Sequence, residues 1–140
     1  FEPGRFIVGN AAILISKIIY IKKSNNKKFV ILDVGMNNLM RPSLYDAKHQ
    51  IVPLKKTNRK IRGNIEFVGP VCESADKFIS CNSFASIKEG DYVGLTHVGA
   101  YGATLSSNYN IRPTAAEIVV SKSKDKLVRK RQSLENLVNN

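Results

Sequence analysis

Cys72 and Glu73 stand side by side in Gly69-Pro70-Val71-Cys72-Glu73-Ser74, directly after the strand-like run Ile65-Glu66-Phe67-Val68. A thiol can exchange a proton near neutral pH and a carboxylate can hold an ammonium group, so the pair could form one edge of an active site. Pro70 ends regular strand pairing just before them and makes the segment a loop. Taken alone, the segment also fits a small buried residue beside a surface acid. Glu2-Pro3-Gly4-Arg5 sets a carboxylate and a guanidinium on either side of a tight Pro-Gly turn. The carboxylate suits a protonated ring nitrogen, and the arginine fork suits a phosphate or a carboxylate. Arg41 and Tyr45 are one helical turn apart, a spacing that lets both side chains hold one carboxylate. In Gly99-Ala100-Tyr101-Gly102 a phenol lies between glycines that let the backbone approach a ligand closely. Each grouping has a plainer reading: solvated charges at a turn, a surface arginine, a packed tyrosine.

His49 and His97 have no carboxylate or cysteine at metal-ligand spacing and read as structural; no metal is expected. Cys72 and Cys81 make neither a disulfide framework nor a CxxC pair, which fits a reducing, cytoplasmic setting. No GxGxxG, P-loop, GxSxG or HExxH motif occurs.

The elements that must position these residues are mostly strands. Residues 13–21 are rich in β-branched side chains, and residues 29–34 resume that pattern after a polar run containing Asn25-Asn26, so the two read as a hairpin. Gly35-Met36-Asn37-Asn38 reads as a turn, and residues 39–45 as a 3₁₀ turn facing a pocket. Residues 50–54 form a strand that Pro53 confines to an edge or an end. Residues 55–62 read as a basic loop, and 92–96 as a strand after a turn at 87–91. Residues 117–120 and 127–129 bracket a charged turn in a last hairpin, and residues 132–138 have the spacing of a short helix. Many short strands punctuated by Gly, Pro and Asn predict an all-β sandwich or barrel.

A length of 140 residues with 43% hydrophobic side chains is one domain's worth with a real core. A net charge of +11 invites a nucleic-acid reading. The charges cluster at Lys22-Lys23, Lys27-Lys28, Lys55-Lys56, Arg59-Lys60 and residues 122–131, read as loops and a tail without interleaved aromatic platforms, so nucleic acid is not the expected partner. The apolar stretch 6–21 is interrupted by Asn10, Ser16 and Lys17 and does not read as a membrane span. The chain opens on charged and special-geometry residues rather than a polar linker, and so reads as a piece of something longer.

Taken together, six stretches resemble the C-terminal domain of the diaminopimelate decarboxylase family, in collinear order from Glu2 to Leu137. They are Glu2-Pro3-Gly4-Arg5, Asp33-Val34-Gly35-Met36-Asn37, Arg41-Pro42 with Leu44-Tyr45-Asp46-Ala47, Gly69-Pro70-Val71-Cys72-Glu73-Ser74, Gly99-Ala100-Tyr101-Gly102, and Ser106-Ser107-Asn108-Tyr109-Asn110 with Arg112-Pro113. The resemblance implies that residues 1–140 are a mainly β, Greek-key barrel or sandwich domain with short helical segments. The family's N-terminal (β/α)8 barrel, with its cofactor-binding lysine, lies outside them. It implies a pyridoxal 5'-phosphate-dependent decarboxylation of meso-diaminopimelate to L-lysine and carbon dioxide in a homodimer with shared active sites. The isolated chain is expected to be inactive.

By the same resemblance, Glu2 would contact the cofactor's ring nitrogen, Arg5 would lie near cofactor phosphate and substrate, and Tyr101 would reach either. Arg41 and Tyr45 would hold the substrate's far carboxylate, and Glu73 would lie near its far amino group. Cys72 would enter the opposite subunit's site and return a proton to the carbon that loses carbon dioxide. His97-Val98, Ala75 and Ile111 depart from the usual pattern, and His97-Val98 could alter how Tyr101 is presented. Two other readings remain open: a related decarboxylase for another basic amino acid or carboxylated polyamine, and a non-catalytic remnant or interaction module.

Overall fold

The computed structural model describes residues 1–139. A short helix α1 (Gly4–Val8) runs into a 3₁₀ turn (Gly9–Ala11) and then into the long strand β1 (Leu14–Ser24). There follow β2 (Lys27–Leu32), α2 (Arg41–Tyr45), β3 (Ile51–Pro53), β4 (Lys60–Val68), β5 (Lys77–Ala85) and β6 (Tyr92–Leu95). A separate hairpin, β7 (Glu117–Ser121) and β8 (Lys124–Arg129), and helix α3 (Leu134–Val138) complete the chain. Six strands form one mixed sheet in the order β3-β6-β1-β2-β4-β5, with β7-β8 as a second, two-stranded sheet. The all-β expectation is borne out.

β1 joins the two halves of the large sheet. Its first half pairs with β6 and its second half with β2, both antiparallel, and a bulge between Ile18 and Tyr20 lies within the β2 pairing. The bulge bends and twists the strand, so one run of residues serves both pairings. Ser24 pairs with Lys27, leaving Asn25-Asn26 as a two-residue turn in which Asn25 takes a φ of 49°. Asparagine tolerates that left-handed geometry, which is why the polar run makes a tight hairpin. β2 runs parallel to β4, and β4 antiparallel to β5.

The core lies on one face of this sheet. Ile18, Val30, Leu32, Leu39, Ile65, Phe67, Val93 and Leu95 have no exposed surface. Burial of each such side chain contributes roughly 1.5–3 kcal/mol before entropy is counted. Phe67 meets Phe84 edge to face with ring centres 4.8 Å apart, which locks β4 to β5.

Four local expectations are corrected. Residues 41–45 form an α-helical turn rather than 3₁₀, with Pro42 in its first turn, where the missing N–H costs nothing. Gly4 and Arg5 begin helix α1, with Pro3 capping it, so no tight Pro-Gly turn separates Glu2 from Arg5. The basic loop ends at residue 59, because Lys60, Ile61 and Arg62 already pair with Ala85, Phe84 and Ser83. Lys22-Lys23 and Lys27-Lys28 lie on paired strands, not in a loop, and Lys124, Lys126 and Arg129 do the same on β8. Strand β5 was not foreseen.

Candidate functional site

Arg41 is the first residue of α2, and its guanidinium lies over the ring of Tyr101, 5.9 Å from the ring centre. That distance places the cation within reach of the ring's negative face. On its other flank, Arg41 Nη1 is 3.4 Å from Nε2 of His49, a fully buried imidazole just ahead of β3. His49 Nδ1 is 3.0 Å from the carbonyl oxygen of Thr96, at the end of β6. A carbonyl only accepts, so Nδ1 carries the proton and Nε2 offers a lone pair to Arg41. Burial holds the His49 pKa below its ordinary value; the Thr96 carbonyl opposes this, and the nearby basic groups Arg41, His97 and Arg5 reinforce it. The imidazole is therefore neutral at pH 7.

Tyr101 reaches this place because its loop packs hard against the N-terminal segment. The Gly99 N–H donates to Gly9 O at 3.0 Å, and a Cβ at Gly99 would collide with Val8 O. Only glycine admits that approach. Val98 is buried and donates its N–H to Ala12 O at 3.3 Å, so the His97-Val98 departure leaves the loop anchored. Tyr101 itself has φ 64°, a conformation costly for a bulky residue, which aims its ring at Arg41. Its hydroxyl is 3.9 Å from the position a Gly4 Cβ would take, so Tyr101 meets the chain between Glu2 and Arg5. Glu2, Arg5, Tyr45 and Tyr101 are all exposed.

Cys72 and Glu73 occupy a separate loop between β4 and β5. Asp76, almost wholly buried, accepts from Met36 N at 2.7 Å and Val71 N at 2.8 Å, tying this loop to the turn after β2. Burial pushes the Asp76 carboxyl up, while the Val71 and Met36 N–H groups and the charge of Arg112 pull it down. The loop folds back on itself through Glu73 N to Val71 O and Asp76 N to Glu73 O. Ser43 on α2 donates to Ala75 O at 2.7 Å, so α2 supports both this loop and Arg41. Glu73 accepts from Ala75 N–H and the Ser74 hydroxyl, and these hold its carboxyl below the usual range. Cys72 is exposed, which overturns the buried-residue reading; Cys81, on β5, is partly buried and its thiol is pushed up by burial.

Arg5, Arg41 and Tyr101 are thus gathered at one place, with His49 as an unforeseen member. Among the described residues, no hydrogen bond or ion pair joins Cys72, Glu73 or Tyr45 to that group. Sequence reasoning missed His49 and Asp76. Their nearest signals were a histidine eight residues after Arg41 and an aspartate closing the Cys72 loop. Chemically, a guanidinium and a phenol lie together, and neither the Tyr101 ring nor the His49 imidazole beside Arg41 carries a negative charge, an arrangement suited to an anion.

Comparisons with known proteins identify the family of the chain. Residues 6–99 match the family model described as pyridoxal-dependent decarboxylase, C-terminal sheet domain. The diaminopimelate decarboxylase of Zymomonas mobilis is 48% identical over 99% of this chain and 32% of its own length. That of Aquifex aeolicus is 42% identical over 98% of this chain and 32% of its own length. The crystal structure of Helicobacter pylori diaminopimelate decarboxylase complexed with L-lysine superposes with a TM-score of 0.87 at 41% identity, covering 96% of this chain and 33% of that one. The chain spans about a third of the length of the curated relatives it matches. By the family match and these identities over nearly its whole length, the chain belongs to the pyridoxal-dependent decarboxylases, as their C-terminal sheet domain.

Proposed function

We propose that this chain is the substrate-reading part of a diaminopimelate decarboxylase, which converts meso-diaminopimelate to L-lysine and carbon dioxide. The family supplies the reaction class. The observation that carries the choice of substrate is Arg41, held between Tyr101 and a neutral His49 with its charge uncompensated. A substrate with a second carboxylate at its far end suits that receptor, whereas one ending in an amine alone would need an acid there. Tyr45, one turn along α2, adds a hydroxyl for the same carboxylate, and Glu73, held ionised by its loop, suits the far ammonium group.

The residues at the start of the chain fit pyridoxal 5'-phosphate. Glu2 offers a carboxylate for a protonated ring nitrogen, and Arg5 on α1 and the Tyr101 hydroxyl, which lies beside Gly4, offer cation and donor for a phosphate. When bound, the cofactor would supply an electron sink for the pair that departing carbon dioxide leaves behind. Cys72, exposed on a loop braced by Asp76, would return a proton from Sγ to the carbon that lost carbon dioxide. Its loop is tied to α2 through Ser43, but among the described residues no hydrogen bond joins it to Arg41, Tyr101 or His49, which favours service in the site of a second subunit. Ile13 and Leu54 meet over Gly94 on the outer sheet face, beside exposed Ile15 and Tyr92, and suit burial against a partner domain or subunit. Among the described residues no helix is long and apolar enough to cross a membrane. With two free cysteines, we place the enzyme in the cytoplasm.

The test is to supply pyridoxal phosphate and meso-diaminopimelate to the chain alone and to the chain joined to the N-terminal two thirds of the Aquifex aeolicus enzyme. The fusion is expected to form L-lysine and the chain alone to form none. A folded fusion that binds the cofactor and forms no lysine would favour the non-catalytic reading.

A further inference from the structure

Arg41 presents an oddity. A guanidinium fixed in a protein is usually fixed by a carboxylate, and a carboxylate would spend the charge needed for a ligand. Here the fixing group is the lone pair of His49 Nε2, 3.4 Å away, with the Tyr101 ring on the other side. The Thr96 carbonyl alone would satisfy a core histidine through Nδ1. The second nitrogen is nonetheless turned toward the arginine. The charged and titratable groups acting on His49 come from three elements: Arg5 on α1, Arg41 on α2 and His97 after β6. All three are basic, and among the described residues no carboxylate forms an ion pair with Arg41.

We propose that His49 is a positioning residue for substrate binding: locked by Thr96 as the Nδ1–H tautomer, it holds Arg41 in place without neutralising it, so that the guanidinium meets the substrate's far carboxylate pre-oriented and fully charged. This rests on the reading of Arg41 given above. The arrangement also implies a pH dependence with a definite sign. Protonation would turn Nε2 from an acceptor into a second cationic donor facing Arg41. Because the His49 pKa is lowered, the receptor stays intact at neutral pH and fails only as pH drops below the ordinary histidine value of about 6.5.

The test uses the fusion enzyme with meso-diaminopimelate. His49→Phe keeps an aromatic ring, somewhat larger, but removes both ring nitrogens, the Nε2 acceptor among them, and is expected to raise KM about tenfold while kcat changes by less than about twofold. His49→Gln, whose amide oxygen can accept near the Nε2 position, is expected to recover most of that loss and to abolish the rise of KM on acidification expected of the parent. Imidazole nitrogen NMR of the parent should show His49 protonated at Nδ1 alone at pH 7, a readout independent of turnover and of whether either variant folds. An Arg41→Ala variant with unchanged KM would sink the underlying reading and this inference with it. If Arg41→Ala raises KM but His49→Phe does not, or if the NMR shows the Nε2–H tautomer, the inference is wrong and the reading of Arg41 stands.

Discussion

Replacing Arg41 with alanine in the fusion enzyme is expected to lower kcat/KM for meso-diaminopimelate about a hundredfold. The figure follows from losing a charge-assisted interaction, worth about 1.5–3 kcal/mol, at a group that must otherwise sit unpaired. Arg41 touches the end of the substrate remote from the chemistry, so the loss should fall mainly on KM. The fold should survive, because the side chain is only half-buried and its partners Tyr101 and His49 keep their other anchors. Steady-state kinetics with a thermal melt as control decides the matter. An unchanged KM would mean that the far carboxylate is held elsewhere, or that the substrate lacks one.

The second large effect concerns Asp76. It spans 40 residues of sequence to reach Met36 N and five to reach Val71 N, each with a separate carboxylate oxygen. An asparagine in its place could accept at one oxygen only and would turn its NH2 toward the other N–H. Burial penalises the ionised carboxylate, so an uncharged replacement gains some relief. The geometry outweighs that relief: a buried N–H left facing a donor costs about 1–3 kcal/mol. Asp76→Asn is therefore expected to lower the melting temperature by roughly 5–10 °C. Gly69→Ala should do at least as much, since its Cβ would collide with the Asp76 carboxylate, which its two N–H partners hold in place. Both should also slow turnover by loosening the loop that presents Cys72. A melt unchanged in both would show that the loop does not depend on Asp76.

Much of this was legible in the residues because the signals were local. Asn25-Asn26 between two β-branched runs dictated the β1–β2 hairpin, and Pro53 confined β3 to the edge where it is found. The collinear motifs brought out Arg5, Arg41 and Tyr101, and the fold does bring these three together. What escaped was set by distant partners. Strand β5 is an edge strand whose Lys77, Ser80, Asn82 and Ser83 are exposed, so its sequence has little apolar alternation and its pairing comes from β4. Lys60 and Arg62 looked like loop residues because charge is tolerated on a strand's open face. His49 looked inert because its two partners lie 8 and 47 residues away, and Asp76 because its work is to hold backbone that no sequence pattern reveals.

The most direct measurement of substrate choice is a competition. The fusion enzyme is given meso-diaminopimelate and L-ornithine together at equal concentration, and the two decarboxylation products are quantified. The expected result is L-lysine in large excess over putrescine, with the excess collapsing in Arg41→Ala. Putrescine in equal or greater amount from the parent enzyme would contradict a receptor built for a second carboxylate.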